Sequence, residues 1–320
     1  MRLLERNADG ELVFHEFVGE APPYAILSHT WATDSNTEVS FQDVNAGTDK
    51  SKAGYRKIQF CAEQAAADDL RYFWIDTCCI DKSSSAELQE AINSMYNWYR
   101  NSSVCYVYLY DVLDNHSGLE EEDILGSARW FTRGWTLQEL IAPRTVRFYT
   151  CGWHFVGTKL ELRDRLMRIT KIPAMLLAGS ISSPEFYSVA HRMSWASGRE
   201  TSRPEDMAYS LMGIFSVNMP MLYGEGDRAF RRLQEEIMKS SYDFSIFAWR
   251  YPYSDLTRGI AFASLEDNSN YQPFSMTNKG IQIEAHLVPL RIHAQQEIYA
   301  MSCASLSTVG ILALLRPSHG

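Results

Sequence analysis

The sequence predicts an α/β fold built on a parallel sheet with helices on both faces. Two observations predict it. Short apolar or β-branched runs of strand length recur at Tyr24–Ser28, Tyr72–Asp76, Val104–Tyr110 and Thr145–Tyr149, and stretches of helical periodicity separate them. Strands alternating with helices imply parallel pairing through right-handed crossovers, hence a sheet covered on two sides. Ligands of such sheets bind beyond the carboxyl ends of the strands. That rule brings Ser28–Trp31, Asp76–Asp81 and Tyr110–Asp111 to one rim.

The elements follow in order. Pro22-Pro23 precede the first strand run. From Lys52 to Leu70 the residues Tyr55, Ile58, Ala62, Ala65 and Ala66 share one helical face. Ser84 and Glu87 form a capping-box pattern that opens a helix with Leu88, Ala91, Ile92, Met95 and Tyr99 on its apolar stripe. Trp130–Ile141 reads as a helix stopped by Pro143. Further helices are expected at Lys159–Thr170 and Glu185–Trp195. Pro204 opens another, whose face is Met207, Ala208, Leu211, Met212 and Phe215. Gly226–Ser240 gives a last one through Ala229, Phe230, Leu233 and Ile237. Short strands are expected at Ser245–Trp249, Gly259–Ser264, Gly280–Pro289 and Glu297–Cys303.

The bulk properties narrow the function. The chain has 320 residues, 46% hydrophobic and 22% charged, which describes a globular protein with a proper core. A net charge of −9 argues against nucleic acid as a partner, since phosphate binding needs a basic surface. Arg228, Arg231 and Arg232 are the one tight basic cluster and read as a solvated helix face. Six cysteines show no paired framework, and Cys151-Gly-Trp-His154 lacks the second ligand pair that a metal site needs. No metal is expected. Met1–Arg6 lacks the apolar core of a signal peptide, and Val309–Leu315 is too short to span a bilayer. A cytoplasmic protein without a membrane span is therefore expected. The sequence ends inside an apolar run, as expected of a piece of a longer polypeptide. Neither a Gly-x-x-x-x-Gly-Lys loop nor a Gly-x-Gly-x-x-Gly turn after a strand occurs, so ATP hydrolysis and hydride transfer are unsupported.

Trp130-Phe-Thr-Arg-Gly-Trp-Thr-Leu-Gln-Glu-Leu140 sets one carboxylate, Glu139, among aromatic and cationic side chains. Rings can hold a planar ligand, and the carboxylate can face developing positive charge. That combination suits cleavage of a bond to a cationic ring. The bland alternative is that Thr136-Leu-Gln-Glu139 is a capping box.

Several blocks in order resemble the fungal heterokaryon-incompatibility (HET) domain family. They are Tyr24–Trp31, Phe73–Asp81, Ser94–Tyr99 and Arg133–Pro143, then Arg192–Ser197, Glu205–Gly213 and Met219–Gly226. The likeness covers residues 1–250 or so, and HET domains in turn look like distant relatives of TIR domains. Tyr24–Trp31 takes the place of the TIR first strand, and Trp135–Glu139 is similar to the TIR Trp-Cys-x-x-Glu segment, with Thr136 in place of cysteine. The resemblance implies a TIR-like, flavodoxin-like core over residues 1–158. A helical extension over 159–243 and a β-rich appendage over 244–320 complete the expected organisation.

It also implies cleavage of the nicotinamide–ribose bond of NAD+, with Glu139 catalytic and NAD+ the substrate rather than a cofactor. Nicotinamide leaves as a neutral ring, so the reaction needs no general acid for it; it needs stabilisation of an oxocarbenium-like ribose. Candidate binding residues are Ser28, His29, Thr30, Trp31, Asp76, Cys79, Asp81, Arg133 and Trp135. Ser28, Thr30 and Asp81 suit bonds to ribose or phosphate and equally the capping of turns. Arg133 suits a pyrophosphate or a surface salt bridge. Trp135 suits stacking or packing, and Asp76 and Cys79 suit a pocket lining or a tight turn. The family suggests a cell-death effector active on self-association under an upstream sensor. Two other readings remain: a non-catalytic self-associating module, and a cysteine hydrolase using Cys78 or Cys79 with His29 and Asp76 or Asp81.

Overall fold

The central strand β3 (Tyr24–His29) is buried along its whole length, as a strand covered on both faces must be. A computed structural model of the chain describes residues 1–32, 34–114, 125–241 and 243–247, and beyond them the backbone of four short strands between residues 275 and 302. β3 pairs in parallel with β4 (Tyr72–Trp74) on one side and with β5 (Val104–Tyr108) on the other. β5 pairs in parallel with β6 (Val146–Tyr149). Within this parallel set the order is β4-β3-β5-β6, so the chain direction across the sheet reverses at β3 and β5. In open α/β sheets that reversal marks the ligand crevice.

The edges depart from the expected all-parallel sheet. β1 (Arg2–Arg6) and β2 (Leu12–Glu16) form a hairpin whose inner strand runs antiparallel to β4. At the far edge β7 (Phe155–Thr158) runs antiparallel to β6. Both connections are tight turns, too short for the crossover that parallel pairing needs. The sheet is therefore mixed and seven-stranded, in the order β2-β1-β4-β3-β5-β6-β7.

Short α1 (Phe41–Ala46) leads to α2 (Tyr55–Ala67) on one face of the sheet and α3 (Ser85–Asn101) on the other. The sides are fixed by contacts. Lys57 of α2 reaches His29, whereas the Tyr99 hydroxyl of α3 donates to the Leu27 carbonyl at 3.1 Å. Ser84 caps α3 as its spacing predicts, accepting the Glu87 N–H at 3.3 Å. The reciprocal half of the box is missing. The Glu87 carboxylate instead accepts from the Asp81 N–H and from Arg2, each at 2.7 Å, which ties the β1 edge to α3.

The expected single helix over Trp130–Ile141 is two pieces. A 3-10 turn, Arg129–Thr132, is followed by a break and then α4 (Thr136–Ile141). The break arises because Gly134 gives its N–H to the Glu200 carbonyl at 2.9 Å rather than to a helical acceptor. After β7 come α5 (Arg163–Thr170), α6 (Ala174–Leu177), α7 (Val189–Ala196), α8 (Pro204–Tyr209) and α9 (Arg228–Ser240). The expected helix from Pro204 stops at Tyr209 and continues as turns, yet Ala208, Leu211, Met212 and Phe215 are buried as its apolar face predicts. Residues of α5, α7 and α9 share one hydrophobic cluster with the strands, through Leu166, Val189 and Leu233.

The expected strand at Ser245–Trp249 is overturned where it is described, because Phe244–Phe247 is a 3-10 turn. Gly259–Ser264 lies outside the described residues. Farther on, β8 (Ser275–Thr277) pairs with β9 (Gly280–Gln282), and β10 (His286–His293) pairs with β11 (Gln296–Ser302), both antiparallel. No helix among the described residues is long and apolar enough to cross a membrane.

Candidate functional site

Alternation along β3 decides the layout, because neighbouring side chains point to opposite faces of a strand. Ser28 faces the α3 and α4 side, and His29 faces α2. The candidate residues therefore form two groups at the carboxyl end of β3, one on each face.

On the α3 side, the Ser28 hydroxyl donates a hydrogen bond to Oε2 of Glu139. Trp130 Nε1 donates to Ser28 Oγ at 2.8 Å. Glu139 is only 7% exposed and Trp130 only 1%, so the carboxyl sits enclosed against the sheet. Burial pushes its pKa up to about 8, with the nearby Asp76 charge acting the same way. The Ser28 and Tyr99 hydroxyls and the Arg199 guanidinium oppose that rise.

The capping reading of Glu139 fails on geometry. Trp135 occupies the N-cap position in helical conformation and makes no side-chain cap bond. The Thr136 hydroxyl donates to the Trp130 carbonyl at 2.5 Å, and the Glu139 carboxyl turns to Ser28 instead. A buried carboxyl that caps nothing needs another reason to be there.

On the α2 side, Asp76 organises the rim. Its two oxygens bind His29 Nε2 at 3.1 Å and the Trp31 indole N–H at 2.7 Å. Burial alone would raise the Asp76 pKa, but the Lys82 ammonium and these two hydrogen bonds hold it at about 2. Lys82 stands 3.6 Å over the Trp31 ring, a cation–π contact, and that ring is 47% exposed. His29 Nδ1 lies 3.1 Å from Lys57 Nζ, which also pairs with Glu38 at 2.6 Å. Lys57 Nζ also donates to the Thr30 carbonyl at 3.4 Å, and the buried Thr30 hydroxyl has no hydrogen-bond partner among the described residues.

The remaining candidates are committed elsewhere. Asp81 closes its own turn, accepting from the Ser83 hydroxyl at 2.6 Å and from Gln42 at 2.7 Å. Cys79 is buried, and its sulfur accepts the Ile75 N–H at 3.3 Å. Arg133 donates to Ser202 at 3.0 Å, and the Trp135 indole engages Asp206. Among the described residues none of these four hydrogen-bonds Glu139, although Arg133 feels its charge. A cysteine nucleophile is also disfavoured, since Cys78 and Cys79 are both enclosed and burial holds the Cys78 thiol well above its ordinary pKa.

Arg199 was not legible as a site residue. It is 6% exposed and donates to the Arg133 carbonyl at 2.8 Å and to Thr136 Oγ1 at 3.0 Å. Its segment lies far from Glu139 in sequence, and no spacing marks it. Its one sequence signal is its place between two family-like blocks, Arg192–Ser197 and Glu205–Gly213.

Comparison with known proteins agrees with the blocks. Residues 24–126 match the family described as heterokaryon incompatibility protein (HET), and residues 228–279 match a domain of unknown function, DUF8212. Over 246 residues the chain is 50% identical to vegetative incompatibility protein HET-E-1 of Podospora anserina. That stretch is 75% of this chain and 18% of the relative's length. No solved structure matches. The chain thus carries a region of the heterokaryon incompatibility (HET) family.

Proposed function

We propose that the chain is an effector of fungal vegetative incompatibility that cleaves the nicotinamide–ribose bond of NAD+, on a TIR-like core, with Glu139 as the catalytic carboxylate. The observation that supports this most is the Glu139–Ser28 pair, enclosed at the end of β3 where the sheet order reverses. A carboxylate in a low-dielectric site interacts strongly with positive charge developing on ribose. The leaving pyridinium becomes neutral nicotinamide, so one carboxylate suffices. The arriving cation itself favours the ionised form of a carboxyl that burial keeps protonated near neutrality. Trp31, Asp76, Lys82 and Thr30 offer a stacking and polar rim for the rest of the dinucleotide.

The enclosure of Glu139 also fits control by assembly. In the isolated chain Trp130 and Ser28 cover the carboxyl, and self-association that shifts this cover would switch turnover on. Nicotinamide release from NAD+, followed across protein concentrations and with forced dimers, is expected to rise more steeply than linearly. A specific activity constant from dilute to concentrated protein would rule out that control. The same enclosure favours a second reading, a non-catalytic self-associating module in which Glu139 is a polar core group. Forced dimers that release no nicotinamide would establish that reading and remove the first.

The rim makes a separate prediction. Trp31→Ala removes an exposed ring and is expected to lower turnover about tenfold, the scale of one base–aromatic stack, with little change in melting temperature. His29→Ala is expected to cost turnover and also about 1–3 kcal/mol of stability, because it leaves buried partners unpaired. Normal turnover by a folded Trp31→Ala protein would return the rim to a structural role.

A further inference from the structure

Two buried cations bracket the helix that carries Glu139. At its C-terminal end, Lys159 Nζ donates to the Leu140 carbonyl at 3.1 Å and to the Pro143 carbonyl. At its N-terminal end stands Arg199, from the segment after α7. Its Nε is spent on the Trp195 carbonyl at 3.1 Å, which fixes the guanidinium plane. Its Nη1 then bridges the Arg133 carbonyl and Thr136 Oγ1 at 2.8 and 3.0 Å.

From Thr136 a chain of bonds returns to the carboxyl. The Thr136 hydroxyl donates to the Trp130 carbonyl, the Trp130 indole donates to Ser28, and Ser28 donates to Glu139. Thr136 and Glu139 are three residues apart, so they share a face of α4. Arg199 therefore lies on the helix face that presents the carboxyl, and both ends of the hydrogen-bond chain rest on that face.

We propose that Arg199 is a positioning residue for Glu139: it locks the first turn of α4 and the Trp130–Ser28 chain in place, and its guanidinium balances the carboxylate once that is ionised. A buried ion is tolerated only with compensating charge or hydrogen bonds, and each of this pair supplies part of what the other needs. Burial lowers the Arg199 pKa to about 10, and Glu139 acts against that fall. The other titratable groups with influence on Glu139 are Asp76 beyond β4, Tyr99 on α3, Cys105 on β5 and Arg133 before α4. Arg133 is half-buried and donates to Ser202, and Arg199 is the cation among them that binds the helix itself. The incompatibility-effector reading gives this coupling its catalytic meaning, but the coupling stands without substrate.

The test measures it without substrate. Unfolding free energy is followed against pH for the wild-type chain, Glu139→Gln, Arg199→Met and the double variant. The difference between each protein and its Glu139→Gln counterpart isolates the protonation of Glu139. With Arg199 present, that difference grows from mildly acidic pH and levels off near the folded pKa of Glu139. In the Arg199→Met background the levelling-off point is expected to move up by about one pH unit or more, because an opposing charge has gone. Arg199→Lys keeps a charge but loses the two-nitrogen grip. It should hold the levelling-off point near its wild-type position while nicotinamide release falls.

An unmoved levelling-off point in Arg199→Met overturns the proposal. Should that variant not fold, Thr136→Val cuts the bond between Arg199 and α4 without changing charge or shape. An upward shift there supports the proposal, and none overturns it. If the wild-type chain releases no nicotinamide at all, the NAD+ reading fails while the pH cycle still decides the role of Arg199.

Discussion

Glu139→Gln is expected to lower nicotinamide release by about two to three orders of magnitude, the scale of losing one aligned electrostatic contact. Glutamine keeps the shape and an oxygen that accepts from Ser28, so the Trp130–Ser28 arrangement survives. Only the charge is lost. The same change is expected to make the protein more stable above neutrality, and the sign follows from linkage. The folded pKa is raised from 4.5 to about 8. Below pH 4.5 both folded and unfolded chains carry the proton, and the two side chains are nearly equivalent. Between the two values the unfolded wild-type chain releases its proton while the folded one retains it, so wild-type stability falls as pH rises. Above pH 8 the full difference is present, at most about 5 kcal/mol for a displacement from 4.5 to about 8.

Melting temperatures at pH 4.5 and pH 8.5, measured beside turnover, check both halves. A folded, fully active glutamine variant would sink the catalytic assignment. Equal stability gaps at the two pH values would show that the carboxyl is not held in a desolvated site. An inactive variant that is also the more heat-stable one would mark Glu139 as a group kept at a cost to the fold, which is typical of functional positions.

The opposed demands on Glu139 also explain what the sequence could and could not disclose. The core from β3 to β6 was legible because each strand is a short apolar run set between helices with a clear buried stripe. β1 and β2 were not, because the β2 edge is half-exposed and the hairpin carries Arg2, Glu5, Arg6, His15 and Glu16 among its apolar residues. Thr136-Leu-Gln-Glu139 has one spacing and two meanings, since both a capping box and a buried carboxyl place polar groups three residues apart. Packing resolves it: Gly134 pairs with Glu200, the helix starts one residue off the box, and Glu139 is delivered to Ser28. Strand alternation put Ser28 and His29 on opposite faces, a consequence already present in the sequence once β3 is recognised. Arg199 was beyond reach, because it acts through a contact some sixty residues away in the chain with no periodicity to announce it.

That long-range contact gives the last prediction. Gly134→Ala is expected to cost about 1–3 kcal/mol, the range for forcing an extra methyl into a packed site. A Cβ at Gly134 would lie 2.5 Å from Thr201 Cγ2, far inside contact distance, while Ser210 Oγ at 3.4 Å and the Glu200 carbonyl at 3.7 Å leave no wide escape. Gly134 also donates its N–H to Glu200, so the methyl pushes apart the two strands of chain that hold Arg199 against α4. Displacing a catalytic group by an ångström typically costs about a hundredfold in rate, so turnover is expected to fall by about tenfold or more even in the folded fraction. Thr201→Ser removes the clashing methyl and keeps the hydroxyl that donates to the Arg203 carbonyl at 2.6 Å. The double variant Gly134→Ala/Thr201→Ser should therefore recover most of the stability and turnover that Gly134→Ala loses, while Thr201→Ser alone changes little. A double variant as impaired as the single one, with Thr201→Ser harmless, would show that glycine is required for the backbone turn itself. Glu139 would then be aligned independently of the Thr201 contact.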